Sequence, residues 1–170
     1  MNYIQGQSRI LAIAPSTRGF GFAVMEGENA LIAWGVKTVA PGDKNRQSLT
    51  KVKGFIAQYP PDVLVLPDVA AKDANRARRI QSLHRQIVTV ARRSKIRVRL
   101  FSGQQVRSLL LGDAKGTKHQ IAELVAQQFP KELGLRLPPK RRASMNEDHR
   151  MPMFDAAALL VAYSRRRTAS

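Results

Sequence analysis

The 170-residue chain has no cysteine. That removes disulfides, cysteine-ligated zinc and iron–sulfur clusters from consideration and makes a reducing compartment the plain expectation. No apolar run is long enough to span a bilayer, and no basic start leads into a signal-like stretch. The expected location is therefore cytoplasmic, on the nucleoid in a bacterium, with no membrane partner. Aromatics make up 6% of the chain, with Trp34 the single tryptophan, which disfavours recognition of single strands by base stacking. Acids are scarce: 12 Asp and Glu stand against 29 Lys and Arg, a formal charge of +17. From Ala74 to Gly112 there is no acid at all, while Arg76, Arg78, Arg79, Arg85, Arg92, Arg93, Lys95, Arg97, Arg99 and Arg107 fall in that interval. So many cations oppose compaction unless a polyanion is the partner. Nucleic acid is expected ahead of an anionic surface or an acidic protein.

The length suits one domain with its own core, placed at residues 1–164, and the Arg165-Arg166-Arg167 run reads as the start of a short basic tail, residues 165–170. Three strands are predicted at 9–14, 20–26 and 30–39, separated by the turn-forming runs Pro15–Gly19 and Glu26–Asn29. A helix over 44–59, with Leu49, Val52 and Ile56 on one face, is stopped by Pro60-Pro61. Val63–Leu66 is a continuous apolar run of the kind found in strands covered on both faces. A second helix over 76–94 carries Ile80, Leu83, Ile87 and Val90 as its apolar stripe and Arg78, Arg85 and Arg92 along another face.

Residues 96–101 alternate, with Ile96, Val98 and Leu100 expected on a covered face. Ser102–Gln105 and Thr117–Gln120 each fit a capping box that starts a helix. Residues 130–150 read as irregular, and 153–165 as a last helix rich in alanine. Hairpin-linked strands should pair antiparallel and helix-linked strands parallel, giving an α/β chain with a mixed five-stranded sheet. His84 and His119 lie on predicted helices without ligand spacing and are expected at the surface.

Four segments, ILAIAPSTRGFGFAV, VLVLPDVAAK, SGQQVRSLLLGDAKGTKHQIAELV and FDAAALLVAY, resemble the RuvC-type Holliday junction resolvases of the ribonuclease H-like superfamily. The resemblance covers most of the chain, from Arg9 to Tyr163, and rests on the order and spacing of the segments. It implies a ribonuclease H-like fold, a homodimer, branched double-stranded DNA as partner, and phosphodiester hydrolysis assisted by two Mg²⁺ or Mn²⁺ ions about 4 Å apart. Hard cations of this kind take carboxylate oxygens and water.

Carried over residue by residue, the resemblance assigns metal binding to Asp155, Asp68 and Asp148, with Glu147 as a further catalytic acid. It assigns a phosphate contact to Lys118; Arg107, Lys115 and the Arg76, Arg78, Arg79 cluster are expected on phosphates from their charge. Lys118 also opens a helix, where the helix dipole favours anions. The pattern departs at specific places. The position of the first acid is Ala14. The second aligns with Pro67, leaving Asp68 one residue displaced, and a one-residue shift along a strand turns a side chain to the other face. Pro152 stands where a further acid is frequent, and Ala70 where the resolvases carry an aromatic wedge.

Two functions of different classes follow. One is a metal-dependent, structure-specific endonuclease. The other is a catalytically inactive nucleic-acid-binding module that retains the fold. A basic RNA-binding protein is a third possibility.

Overall fold

The computed structural model describes residues 8–70, 77–142 and 144–169. Strands β1 (Arg9–Ser16), β2 (Gly19–Glu26) and β3 (Ala30–Thr38) form an antiparallel meander. Helix α1 (Lys44–Gln58) leads to β4 (Val63–Pro67), and α2 (Arg78–Arg93) leads to β5 (Arg97–Phe101). These two strands run parallel to β1 and to each other, giving the sheet order β3-β2-β1-β4-β5. Helices α3 (Gly103–Leu111), α4 (Lys118–Gln128), α5 (Pro130–Leu133) and α6 (Met151–Thr168) complete the chain. The mixed five-stranded architecture and the direction of every pairing are as the sequence predicts.

Alternation along the strands divides the core into two layers. Ile10, Ala12 and Ala14 of β1 and Val63 and Val65 of β4 face α3, α4 and α6. Leu11, Ile13, Leu64 and Leu66 face α1 and α2. The β1–β4 ladder pairs Ile10 with Val63 and Ala12 with Val65, and no further pair follows. Continuing that register by two residues sets Ala14 beside Pro67, on the α6 side of the sheet. Pro67 lacks a ladder N–H, and Asp68 N donates to Phe101 O on the other side, so the missing donor falls where β1 and β4 have parted.

Helix α6 is buried nearly all round: twelve of its first thirteen residues are core and only Asp155 is not. A helix apolar on every face must lie inside the fold, and this one packs between the sheet and α3 and α4. Its close seating depends on Gly21, which lies opposite Ala14 on β2. A Cβ at Gly21 would collide with the backbone carbonyl of Pro152. Gly21→Ala is therefore expected to destabilise the fold by about 1–3 kcal/mol, the usual cost of overpacking. The urea midpoint should move down accordingly, and an unchanged midpoint would show that the first turn of α6 does not rest on β2.

The structure corrects several sequence expectations. Residues 165–168 are not a free tail but the last turn of α6. Arg165 donates to the carbonyls of Leu109 and Leu110 at 2.9 and 2.8 Å, and the Arg166 guanidinium lies 4.5 Å from the Phe101 ring centroid. Three arginines there also complement the negative end of the helix. Part of 130–150 is ordered as α5 and a 3₁₀ turn at Gly134–Arg136. Ile96, just before β5, and Val98 pack against α2, but Leu100 is 38% exposed, and the buried residue of the strand is Phe101 on the opposite face. His84 is buried in α2 rather than lying at the surface.

Candidate functional site

A cleft of about 370 Å³ opens where β1 and β4 part, walled by α3, α4 and the start of α6. Ala14 and Pro67 form its floor, Asp68 and Asp155 supply carboxylates, and Lys118 and Arg107 supply cations. The positions singled out in distant parts of the sequence thus meet in one place. Both predicted capping boxes form, and they set two of the walls. Ser102 accepts from Gln105 N at 3.1 Å, and Thr117 accepts from Gln120 N at 3.1 Å. The second box fixes Lys118 as the first residue of α4, with its side chain over the cleft.

The Lys118 ammonium sits between two acids. Its Nζ lies 3.0 Å from Glu147 Oε2 and 3.3 Å from Asp155 Oδ2. Burial works against its charge, but the fields of Asp155 and then Glu147 outweigh that, and its pKa is held above the ordinary lysine value. Asp155 reaches the cleft as the single polar break in the buried face of α6.

Asp68 follows the last residue of β4. Its Oδ1 accepts from the Ala70 N–H at 3.1 Å, a local turn bond. Beneath it, His84 bonds through one ring nitrogen to the Pro67 backbone, while its Nε2 is buried and has no hydrogen-bond partner. Burial lowers the His84 pKa, partly countered by Pro67 and by the charge of Asp68, so the ring supports the end of β4 in its neutral form.

Asp148 does not join the cleft. It takes two bonds from the Arg150 guanidinium, both 2.9 Å, and a third from Arg150 N. The hydrogen bonds from Arg150 lower its pKa from the ordinary 3.8 to about 2. Its oxygens serve the turn that starts α6 and do not line the cleft with Asp68 and Asp155. Glu147 approaches the site only through Lys118.

The cation set divides in the same way. Arg107 lines the cleft, and its Nε donates to Ala114 O at 2.6 Å, tying α3 to the loop before α4. Lys115 is exposed on that loop and lines a separate depression with Asp113 and Glu123, not the cleft. Arg78 is exposed at the start of α2. Arg79 is engaged by the fold: it donates to Asn45 Oδ1 and Ser16 O, both at 3.0 Å, pinning the β1–β2 turn to α1. Arg76 lies outside the described residues.

These residues do not fit a two-ion centre. Among the described residues no group of three Asp, Glu or His side chains converges as a metal ion requires. Where the first carboxylate would stand there is a methyl group, and Asp155 is bridged by an ammonium. Asp68 and Asp155 are the two donors that such a centre would retain.

Sequence reasoning missed Phe101, whose ring forms part of the cleft wall with Arg166 stacked over it. It also missed the burial of His84. The spacing Ile80, Leu83, His84, Ile87, Ala91 is a regular helical stripe, so that signal was present.

No family profile and no curated protein matches the chain. Solved structures do. The Thermus thermophilus RuvC structure superposes with a TM-score of 0.68 at 17% identity, over 95% of this chain and 96% of that one. The same protein in complex with a Holliday junction substrate gives 0.69 at 17% identity, over 95% and 97%. The yeast mitochondrial Holliday junction resolvase Ydc2 gives 0.64 at 14% identity, over 95% and 79%. The fold of this chain is therefore RuvC-like, within the ribonuclease H-like class.

Proposed function

We propose that this protein binds branched double-stranded DNA through the cleft, with two copies acting together on a junction, and that it does so without metal-dependent cleavage. The observation that carries this reading is the Lys118 ammonium held between Asp155 and Glu147 above a floor of Ala14 and Pro67. A divalent ion would sit among these carboxylates; here the Lys118 ammonium already lies between the two and offsets one of their charges. Arg107 and the positive end of α4 add further attraction for a phosphate. The likeness to a resolvase solved with its junction supports branched DNA over plain duplex as the ligand.

A second reading, a Mg²⁺- or Mn²⁺-dependent endonuclease, is favoured by the presence of Asp68 and Asp155 in one cleft. One experiment separates the two. A labelled four-way junction is titrated with protein in EDTA, then incubated with Mg²⁺ or Mn²⁺ at saturating protein. Retained binding in EDTA and intact strands in metal are expected. Symmetric nicks would establish the endonuclease, and loss of binding in EDTA would overturn the metal-independent reading.

A further inference from the structure

Within the acid-free interval, α2 lies on the face of the sheet away from the cleft. The His84–Pro67 bond puts the first half of α2 at the cleft end of β4. Arg97 N donates to Asp62 O at 3.2 Å, which puts the start of β5 at the opposite end. Lys95, in the left-handed region at φ 59°, makes the turn between them. Around that turn Arg92, Arg93 and Lys95 are exposed; Arg97 and Arg99 are exposed as well but pair with Val63 and Val65 on the cleft face of the sheet. Among the described residues none of the five is ion-paired to a carboxylate.

The cluster continues into a groove of about 290 Å³ between α1 and α2. Lys53, Arg85 and Arg93 give it charge, and Ser82 and Gln86, bonded to each other at 3.3 Å, line it with neutral polar groups, while the Thr89 hydroxyl donates to Arg85 O. Cations interleaved with hydroxyl and amide groups are the chemistry that holds sugar–phosphate backbones. The 16 residues of α2 extend about 24 Å, a length along which one DNA strand presents a phosphate about every 3.4 Å.

We propose that the α1–α2 groove and the α2–β5 turn form a second nucleic-acid surface, which takes the backbone of a different duplex segment from the one in the cleft. This extends the proposed function and rests on DNA being the partner. The two surfaces lie on opposite faces of the sheet, with the core between them, so one straight duplex cannot occupy both. A second copy of this chain is not the occupant. A two-fold interface sets a patch against itself, and here it would set unpaired arginines against arginines. A homodimer contact belongs on another face.

The test uses the full chain carrying Lys53→Gln, Arg85→Gln and Arg93→Gln, with Lys118→Met as the cleft variant and thermal melts confirming that both are folded. Binding to a short duplex and to a four-way junction is measured across a salt series. Retention of a second labelled duplex on immobilised protein–duplex complexes reports bridging. The triple variant should lose bridging, and its log–log salt slope should flatten by about 2 to 3, near 0.9 per lost phosphate contact. It should keep its preference for junction over duplex. Lys118→Met should reduce that preference and keep bridging. If wild type binds DNA and the triple variant matches it in slope and bridging, the second surface is refuted while the cleft reading stands. If wild type binds no DNA, both readings fail. Binding of the wild type, but not of the triple variant, to anionic vesicles in preference to DNA would assign the surface to a membrane and overturn the proposal.

Discussion

Raising NaCl from about 50 to about 200 mM is expected to weaken junction binding about a thousandfold, with a log–log slope near −5, if about six phosphates are neutralised. The expectation follows from where the charge lies. Of the formal +17, Lys118 and Arg107 face the cleft, and Arg92, Arg93 and Lys95 crowd the α2–β5 turn. Counterions released from six phosphates cost more to displace as salt rises, and a shape-only or apolar interface would show no such slope. EDTA should leave the slope unchanged, because no step in the proposed recognition passes through a metal. Fluorescence anisotropy at four or five salt concentrations decides it, and a slope near zero would count against any backbone-dominated interface on this protein.

The order of strands and helices was legible because it depends on local pattern. Turn-forming runs mark β1 to β3, one proline pair and two capping boxes mark boundaries, and an alanine-rich run marks the buried α6. The direction of each pairing follows from the connections, whereas the position of β4 beside β1 comes from the structure. The site was legible only in part. Ala14, Pro67 and Asp155 could be placed because the resemblance to the resolvases aligns each with a strand end or helix start.

The side-chain partners could not be read in the same way. Lys118 meets Glu147 across 29 residues of chain, and nothing local to either predicts the other. Asp148 is the reverse case: its partner Arg150 is two residues away, and an acid flanked by His149 and Arg150 signals a local turn as readily as a ligand. Arg79 showed no sign in sequence that its guanidinium would be spent on the β1–β2 turn. The alternation at residues 96–101 was real, but β5 is an edge strand. An edge strand need not be covered on both faces along its length, which is why Leu100 is exposed while Phe101, near the cleft, is not.

The same geometry makes a gain of metal binding the sharpest outcome to seek. Ala14→Asp should place a carboxylate on the cleft floor, on the same face of the sheet as Pro67 and beside the start of α6. Lys118→Met should release Asp155 and Glu147 from the ammonium that bridges them at 3.3 and 3.0 Å. Each single change is expected to tighten Mn²⁺ binding about tenfold, and the pair about a hundredfold, each tenfold step being about 1.4 kcal/mol. The two sites share Asp155, so departure from additivity is itself informative. Isothermal titration of Mn²⁺ into the DNA-free protein gives the answer without relying on cleavage. Should wild type already bind Mn²⁺ as tightly as the double variant, the ammonium is not excluding the metal and the endonuclease reading takes precedence. Should the double variant bind Mn²⁺ as proposed yet leave a junction intact in its presence, the defect lies beyond the first carboxylate. Pro67, which holds the second acidic position one residue before Asp68, is then the next residue to change.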